Sequence, residues 1–87
     1  MPTKSKLAAV RQQVHLTFPE NLIKKPVLSL LAKRFDVVFN IRGSTVTSDM
    51  ALIALEFEGK DREIAKAIAW LKAKGVSVEP IVKRAIR

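Results

Sequence analysis

His15 is the one histidine of the chain, and its imidazole can act as a general base only beside a nucleophile or an orienting carboxylate. Glu56 and Glu58, two residues apart, supply carboxylates that would also suit a hard cation. Without a third ligand in register they read better as partners for Arg42 on a neighbouring strand. A single strand histidine is an ordinary surface residue, so no catalytic residue and no metal ligand is assigned. Asn40 and Arg42 form the stronger pair. An amide and a guanidinium can together hold a carboxylate or a partner's backbone groups, the plain alternative being that both decorate an exposed strand. Ser44, Thr45, Thr47, Ser48 and Asp49 form a polar hairpin tip able to close over a small ligand, although turn chemistry alone accounts for those residue types. Asn40, Arg42, Ser44 and Thr45 are therefore the candidate ligand-binding residues. Trp70 lies off the main stripe of its helix and is expected at the core edge, not as a stacking platform.

The elements that must position these residues follow from periodicity. Val14, Leu16 and Phe18 alternate with Gln13, His15 and Thr17, which predicts a strand with one buried face. Pro19-Glu20-Asn21 breaks it. Pro26 at a first helical position opens an amphipathic helix carrying Val27, Leu28, Leu30, Leu31 and Phe35 and ending near Asp36. Val37 to Val46 is rich in β-branched residues and forms a second strand, with Ser44 to Asp49 supplying the turn. Ala51, Ile53, Leu55 and Phe57 alternate through a third strand that returns antiparallel and ends at Gly59. Asp61 is placed to cap the next helix, whose stripe is Ile64, Ala67, Ile68 and Leu71 and whose stop is Gly75. Val76 to Ile81 makes the last strand. The βαββαβ order predicts an α+β, ferredoxin-like fold, a four-stranded antiparallel sheet with two helices on one face. The open face then carries Gln13, His15, Thr17, Val38, Asn40, Arg42, Leu52, Ala54, Glu56 and Glu58. Val38, Leu52 and Ala54 make it apolar enough to favour a partner, whether a second copy, another domain or a trapped ligand.

Eighty-seven residues with 48% hydrophobic content allow one core and not two. The net charge is +8, and six basic residues, Lys4, Lys6, Arg11, Lys83, Arg84 and Arg87, account for most of the excess. The remaining ten basic residues nearly balance the eight acidic ones. The chain thus divides into a basic N-terminal tail (1–11), a folded domain (12–82) and a basic C-terminal tail (83–87). Such tails can grip phosphates or an acidic protein surface, or simply be solvated ends. The absence of cysteine excludes a disulfide framework, a thiolate zinc site and a chain-borne iron–sulfur cluster, and suits a reducing compartment. Leu7-Ala8-Ala9-Val10 is too short for a signal-peptide core, and nothing else is long enough to span a bilayer. A cytoplasmic protein without membrane insertion or cofactor is expected.

At Val38-Phe39-Asn40-Ile41-Arg42-Gly43 the sequence resembles the NIL domain, named for an Asn-Ile-Leu motif on its second strand, which Asn40-Ile41-Arg42 occupies here. Leu16-Thr17-Phe18-Pro19, the Pro26-Val27 helix start, Leu55-Glu56-Phe57-Glu58-Gly59, and Ala67 to Gly75 followed by Val76 and Val78 extend the resemblance from Val14 to Ile81. Each motif is weak alone, and their order and spacing make the match specific. Arg42 stands where the family name has leucine. The resemblance implies a ferredoxin-like domain, related in shape to ACT-type regulatory domains. In methionine-transporter ATPase subunits it forms a dimeric sensor that binds methionine and restrains transport. A second branch precedes iron–sulfur ferredoxin modules linked to homocysteine assembly, and Leu16-Thr17-Phe18-Pro19 with Asn40-Ile41-Arg42 looks closer to it. This chain has neither a phosphate-binding Gly-rich loop nor cysteines, so only a sensing or docking role carries over.

Two function classes follow. One is a non-catalytic regulatory domain, a homodimer that binds methionine or a related sulfur amino acid at its interface. The other is a docking module for a protein partner acting through the open face and the basic tails. RNA recognition motifs share the βαββαβ order but stack bases on exposed aromatics. The outward residues His15, Thr17, Ala54 and Glu56 offer no benzenoid ring, and the glutamates repel phosphates, so nucleic acid is disfavoured.

Overall fold

The computed structural model describes residues 9–85. Strand β1 (Ala9–Pro19) leads through a short helix α1 (Glu20–Ile23) into α2 (Val27–Arg34). The chain continues as β2 (Val37–Val46), β3 (Met50–Lys60), α3 (Asp61–Lys74) and β4 (Ser77–Ala85). The sheet order is β2-β3-β1-β4, and every neighbouring pair is antiparallel. This is the expected α+β, ferredoxin-like arrangement, with one added helical turn. That turn forms at Pro19-Glu20-Asn21, where the sequence pattern predicts only a break: Pro19 precedes the first helical residue, and Leu22 is buried beneath it.

One side of the sheet carries the core. Val14, Leu16 and Phe18 of β1 and Ala51, Leu55 and Phe57 of β3 meet Leu22, Val27, Leu31, Ile64, Ala67 and Leu71 from the helices and Val76 before β4. Burying each large aliphatic or aromatic side chain of this set contributes roughly 1.5–3 kcal/mol. Trp70 packs edge-on against Phe35 at a centroid distance of 6.0 Å, with Lys74 5.4 Å from its ring, at the rim of this core as expected. Gly75 ends α3 with a φ of 103°, a conformation that favours glycine. Its N–H donates to the Lys72 carbonyl and that of Val76 to Leu71, each at 3.0 Å.

The boundaries differ from the periodicity reading in ways that matter for charge. The first and last strands are longer than their apolar alternations, because backbone pairing continues where the side chains turn polar: Arg11 pairs with Glu58 and with Arg84, and Lys83 with Gln12. Arg11, Lys83 and Arg84 are therefore sheet residues, whereas Lys4, Lys6 and Arg87 lie outside the described residues. Asp61 does not cap α3. The cap position is Lys60, and Asp61 opens the helix with its carboxylate 3.3 Å from Lys83 Nζ, where a negative charge also suits the positive helix end. The β2–β3 turn shrinks to Thr47–Asp49, since Ser44, Thr45 and Val46 still pair with β3. Thr47 Oγ1 accepts the N–H groups of Asp49 and Met50 and donates to the Met50 carbonyl. Among the described residues no helix is long and apolar enough to cross a membrane.

Candidate ligand-binding face

Antiparallel partners share a face, so the three registers arrange the open side of the sheet in rows that run from β2 to β4. Nearest the β2–β3 turn is Thr45, Leu52, Thr17 and Ser77. Next come Gly43, Ala54, His15 and Glu79, then Asn40, Glu56, Gln13 and Val82, and last Val38, Glu58, Arg11 and Arg84. All ten open-face positions expected from alternation lie on this side.

Each edge strand carries a bulge between the second and third rows. In β2 the pairing jumps from Ile41 to Gly43, leaving Arg42 as the extra residue, and in β4 it jumps from Pro80 to Val82, leaving Ile81. A bulge inserts one residue and so reverses the inside–outside parity beyond it. Simple alternation would put Ser44 beside Asn40 and Arg42. Instead Ser44 pairs with Ile53 on the helix side, and Thr45 with Leu52 on the open side. Asn40, Arg42 and Thr45 therefore share the open face and Ser44 does not. In β4 the same shift turns Lys83 towards α3 and Asp61. Pro80, which has no N–H to give, sits on an edge strand as it must. At this bulge the side-chain amide of Gln12, buried on the helix side, donates through Nε2 to the carbonyls of Gln13 and Val82 at 3.1 and 3.2 Å.

The charges on the open face are mostly paired. Arg42 Nη1 lies 3.3 Å from Glu56 Oε1, whose other oxygen accepts from Gln13 Nε2 at 3.4 Å. Arg11 Nε lies 3.6 Å from Glu58 Oε1. The expected pairing of Glu56 with Arg42 is present, while Glu58 pairs with Arg11. Arg42 remains largely exposed and spends one nitrogen on Glu56, so its other donors are available to an incoming carboxylate.

Between these pairs and the turn lies a concavity of about 370 Å³. His15, Thr17, Gly43, Thr45, Leu52, Ala54 and Glu79 bound it on the open face, and Ser44 also lines it. A smaller recess of about 130 Å³, reaching Gln13, Arg42 and Ile81, adjoins it through His15 and Ala54. Sequence reasoning missed Gly43 and Glu79. An isolated glycine inside a strand pattern is a bulge signal and was there to be used. Glu79 alternates outward on its strand, but its place opposite His15 depends on the β1–β4 register, which no local pattern carries.

Residues 12–80 match the family model of the NIL domain. The chain belongs to the NIL domain family. The matched segment runs from within β1 to within β4 and contains β2, β3 and the three helices, so the NIL domain is the body of the fold just described. The methionine import ATP-binding protein MetN of Helicobacter hepaticus is 33% identical to this NIL domain over 60 residues, 64% of this chain and 17% of that protein. MetN 1 of Bacillus licheniformis, also a methionine import ATP-binding protein, is 30% identical over 61 residues, 66% of this chain and 18% of its own length. The chain thus spans less than a fifth of these relatives. Among solved structures, the de novo designed protein Foldit4 superposes with a TM-score of 0.62 at 10% identity, covering 91% of this chain and 99% of the design. That likeness concerns the fold alone.

Proposed function

We propose that this NIL domain is a non-catalytic, ligand-sensing regulatory domain that binds methionine or a related sulfur amino acid where two copies meet. The observation that carries the reading is the similarity of this segment to part of two methionine import ATP-binding proteins. The open face supports it in chemical terms. Arg42, next to Asn40, offers fixed donors for a carboxylate, and the adjoining concavity is floored by small and apolar side chains suited to an unbranched thioether. Val38, Leu52, Ile81 and Val82 stand 62%, 46%, 46% and 40% exposed. Covering them with a second copy removes apolar surface from water and strengthens the polar contacts of anything held between.

Calorimetric titration against a panel of amino acids tests the ligand, and light scattering tests the dimer. Methionine or a close sulfur analogue is expected to bind best, and Arg42→Ala to weaken binding about ten- to hundredfold with little effect on folding. An unchanged affinity in that variant would leave Arg42 as a partner of Glu56 only, and a monomer at micromolar concentration would remove the interface. The second reading, a docking surface for another protein, rests on the same exposed apolar residues. It predicts a chain that binds no amino acid.

A further inference from the structure

We infer that the concavity formed by Gly43, Ala54, His15 and Glu79 holds the ammonium group and side chain of a small α-amino acid, with Glu79 as the counter-charge. The inference rests on the amino-acid-binding reading above and adds to it a site and residues other than Asn40 and Arg42.

Three glutamates belong to the rows of the open face. Glu56 lies against Arg42 and Gln13, and Glu58 stands 3.6 Å from Arg11, so each already has a cation beside it. Glu79 has no ion-pair partner among the described residues and borders the concavity beside His15. A negative group without an ion-pair partner among the described residues, at the edge of a hollow, complements a small ligand cation. His15 and Glu79 alone are too few ligands for a metal ion, whereas one carboxylate is enough for an ammonium group.

The floor of the concavity is Gly43 beside Ala54, and the fold does not require glycine at position 43. Among the described residues positive φ values occur only at Gly59 and Gly75, and a Cβ placed on Gly43 would meet nothing within 4 Å. Neither backbone conformation nor close packing explains the missing side chain. Its effect is the space it leaves, on the open face and directly across from Ala54. The Arg42 bulge is what turns this position to the open side. Leu52 forms the apolar wall above that floor and the hydroxyls of Thr17 and Thr45 its rim.

The test is calorimetric titration of L-methionine and of 4-(methylthio)butanoate, the same molecule without its ammonium group, into the wild-type chain, Glu79→Gln and Gly43→Leu. Methionine should bind the wild type and bind Glu79→Gln about tenfold more weakly, whereas 4-(methylthio)butanoate should bind those two chains equally. Gly43→Leu should fill the hollow and weaken both ligands while keeping the wild-type circular dichroism and melting temperature. Glu79→Gln is nearly isosteric and tests the site even if Gly43→Leu fails to fold. If methionine binds all three chains alike, the ligand lies elsewhere and this inference is overturned while the functional reading stands. If methionine does not bind the wild type at all, the functional reading falls and this inference with it.

Discussion

The two faces of the sheet are built from the same four strands and obey different rules. On the covered face Leu16, Leu55 and Phe57 are essentially inaccessible, and a single apolar stripe per strand decides everything. On the open face the rows mix glycine, alanine, leucine, threonine and charged residues, and neighbours across strands decide which group is free and which is committed. Packing tolerates little on the first face because a lost side chain leaves a cavity. The second tolerates more, because water replaces what is removed. On the proposed reading, stability and recognition fall on opposite sides of one layer, so a residue of the open face can change without unfolding the domain.

The largest effect that would sharpen this contrast is truncation at the covered face. Phe57→Ala is expected to cost about 3–5 kcal/mol in urea denaturation, because Phe57 is fully buried and packs edge-on against Phe39 at 6.3 Å. A loss below about 1 kcal/mol would mean that the covered face is not the core. Gln12 stands between the two regimes, being polar yet buried on the helix side. Gln12→Ala removes the amide that bridges the Gln13 and Val82 carbonyls and should cost about 1 kcal/mol. A neutral result would show that solvent satisfies the β4 bulge unaided.

Arg42→Ala, on the open face, should change stability by less than about 1 kcal/mol, since the guanidinium is more than half exposed and its pair with Glu56 is screened. A loss comparable to that of Phe57→Ala would break the comparison between faces. The smallest effect is one of acid. Glu63 accepts the Asp36 N–H at 3.2 Å and lies 3.3 Å from Lys66 Nζ. The backbone hydrogen bond, first of all, holds its carboxyl below the ordinary value of 4.5. A carboxylate with a lowered folded value contributes stability that is fully present above its unfolded value and is lost as pH falls through the folded one. Glu63→Gln should therefore unfold like the wild type once the pH has fallen below the folded value, and slightly more easily near neutrality. Parallel stability curves at all pH values would deny Glu63 that role.

Much of the fold, and the open-face placement of Asn40 and Arg42, is legible in the sequence. Val14, Leu16 and Phe18, the β3 stripe, and Ile64, Ala67 and Leu71 announce by spacing alone which sides turn inward, and the βαββαβ order follows from where those periods switch. Asn40 and Arg42 were legible as open-face neighbours because both come before the parity change in their strand. Ser44 and Thr45 read as turn residues because their types suit a turn, whereas both still pair with β3, and the bulge at Arg42 decides which of them faces the open side. Arg11, Lys83 and Arg84 read as tail residues because backbone pairing leaves no mark where side chains are polar.

The sequence by itself determined the order of the elements, the apolar stripes and the excess of positive charge, since each is a property of residues near one another along the chain. Tertiary structure alone decided the registers of β1 with β3 and β4 and of β2 with β3. With them it decided that Arg42 takes Glu56, that Arg11 takes Glu58 and that Glu79 faces the hollow beside His15 without an ion-pair partner among the described residues. A bulge is a mismatch in count between two strands. It exists only once both are aligned side by side, and it sets the face of every residue that follows it.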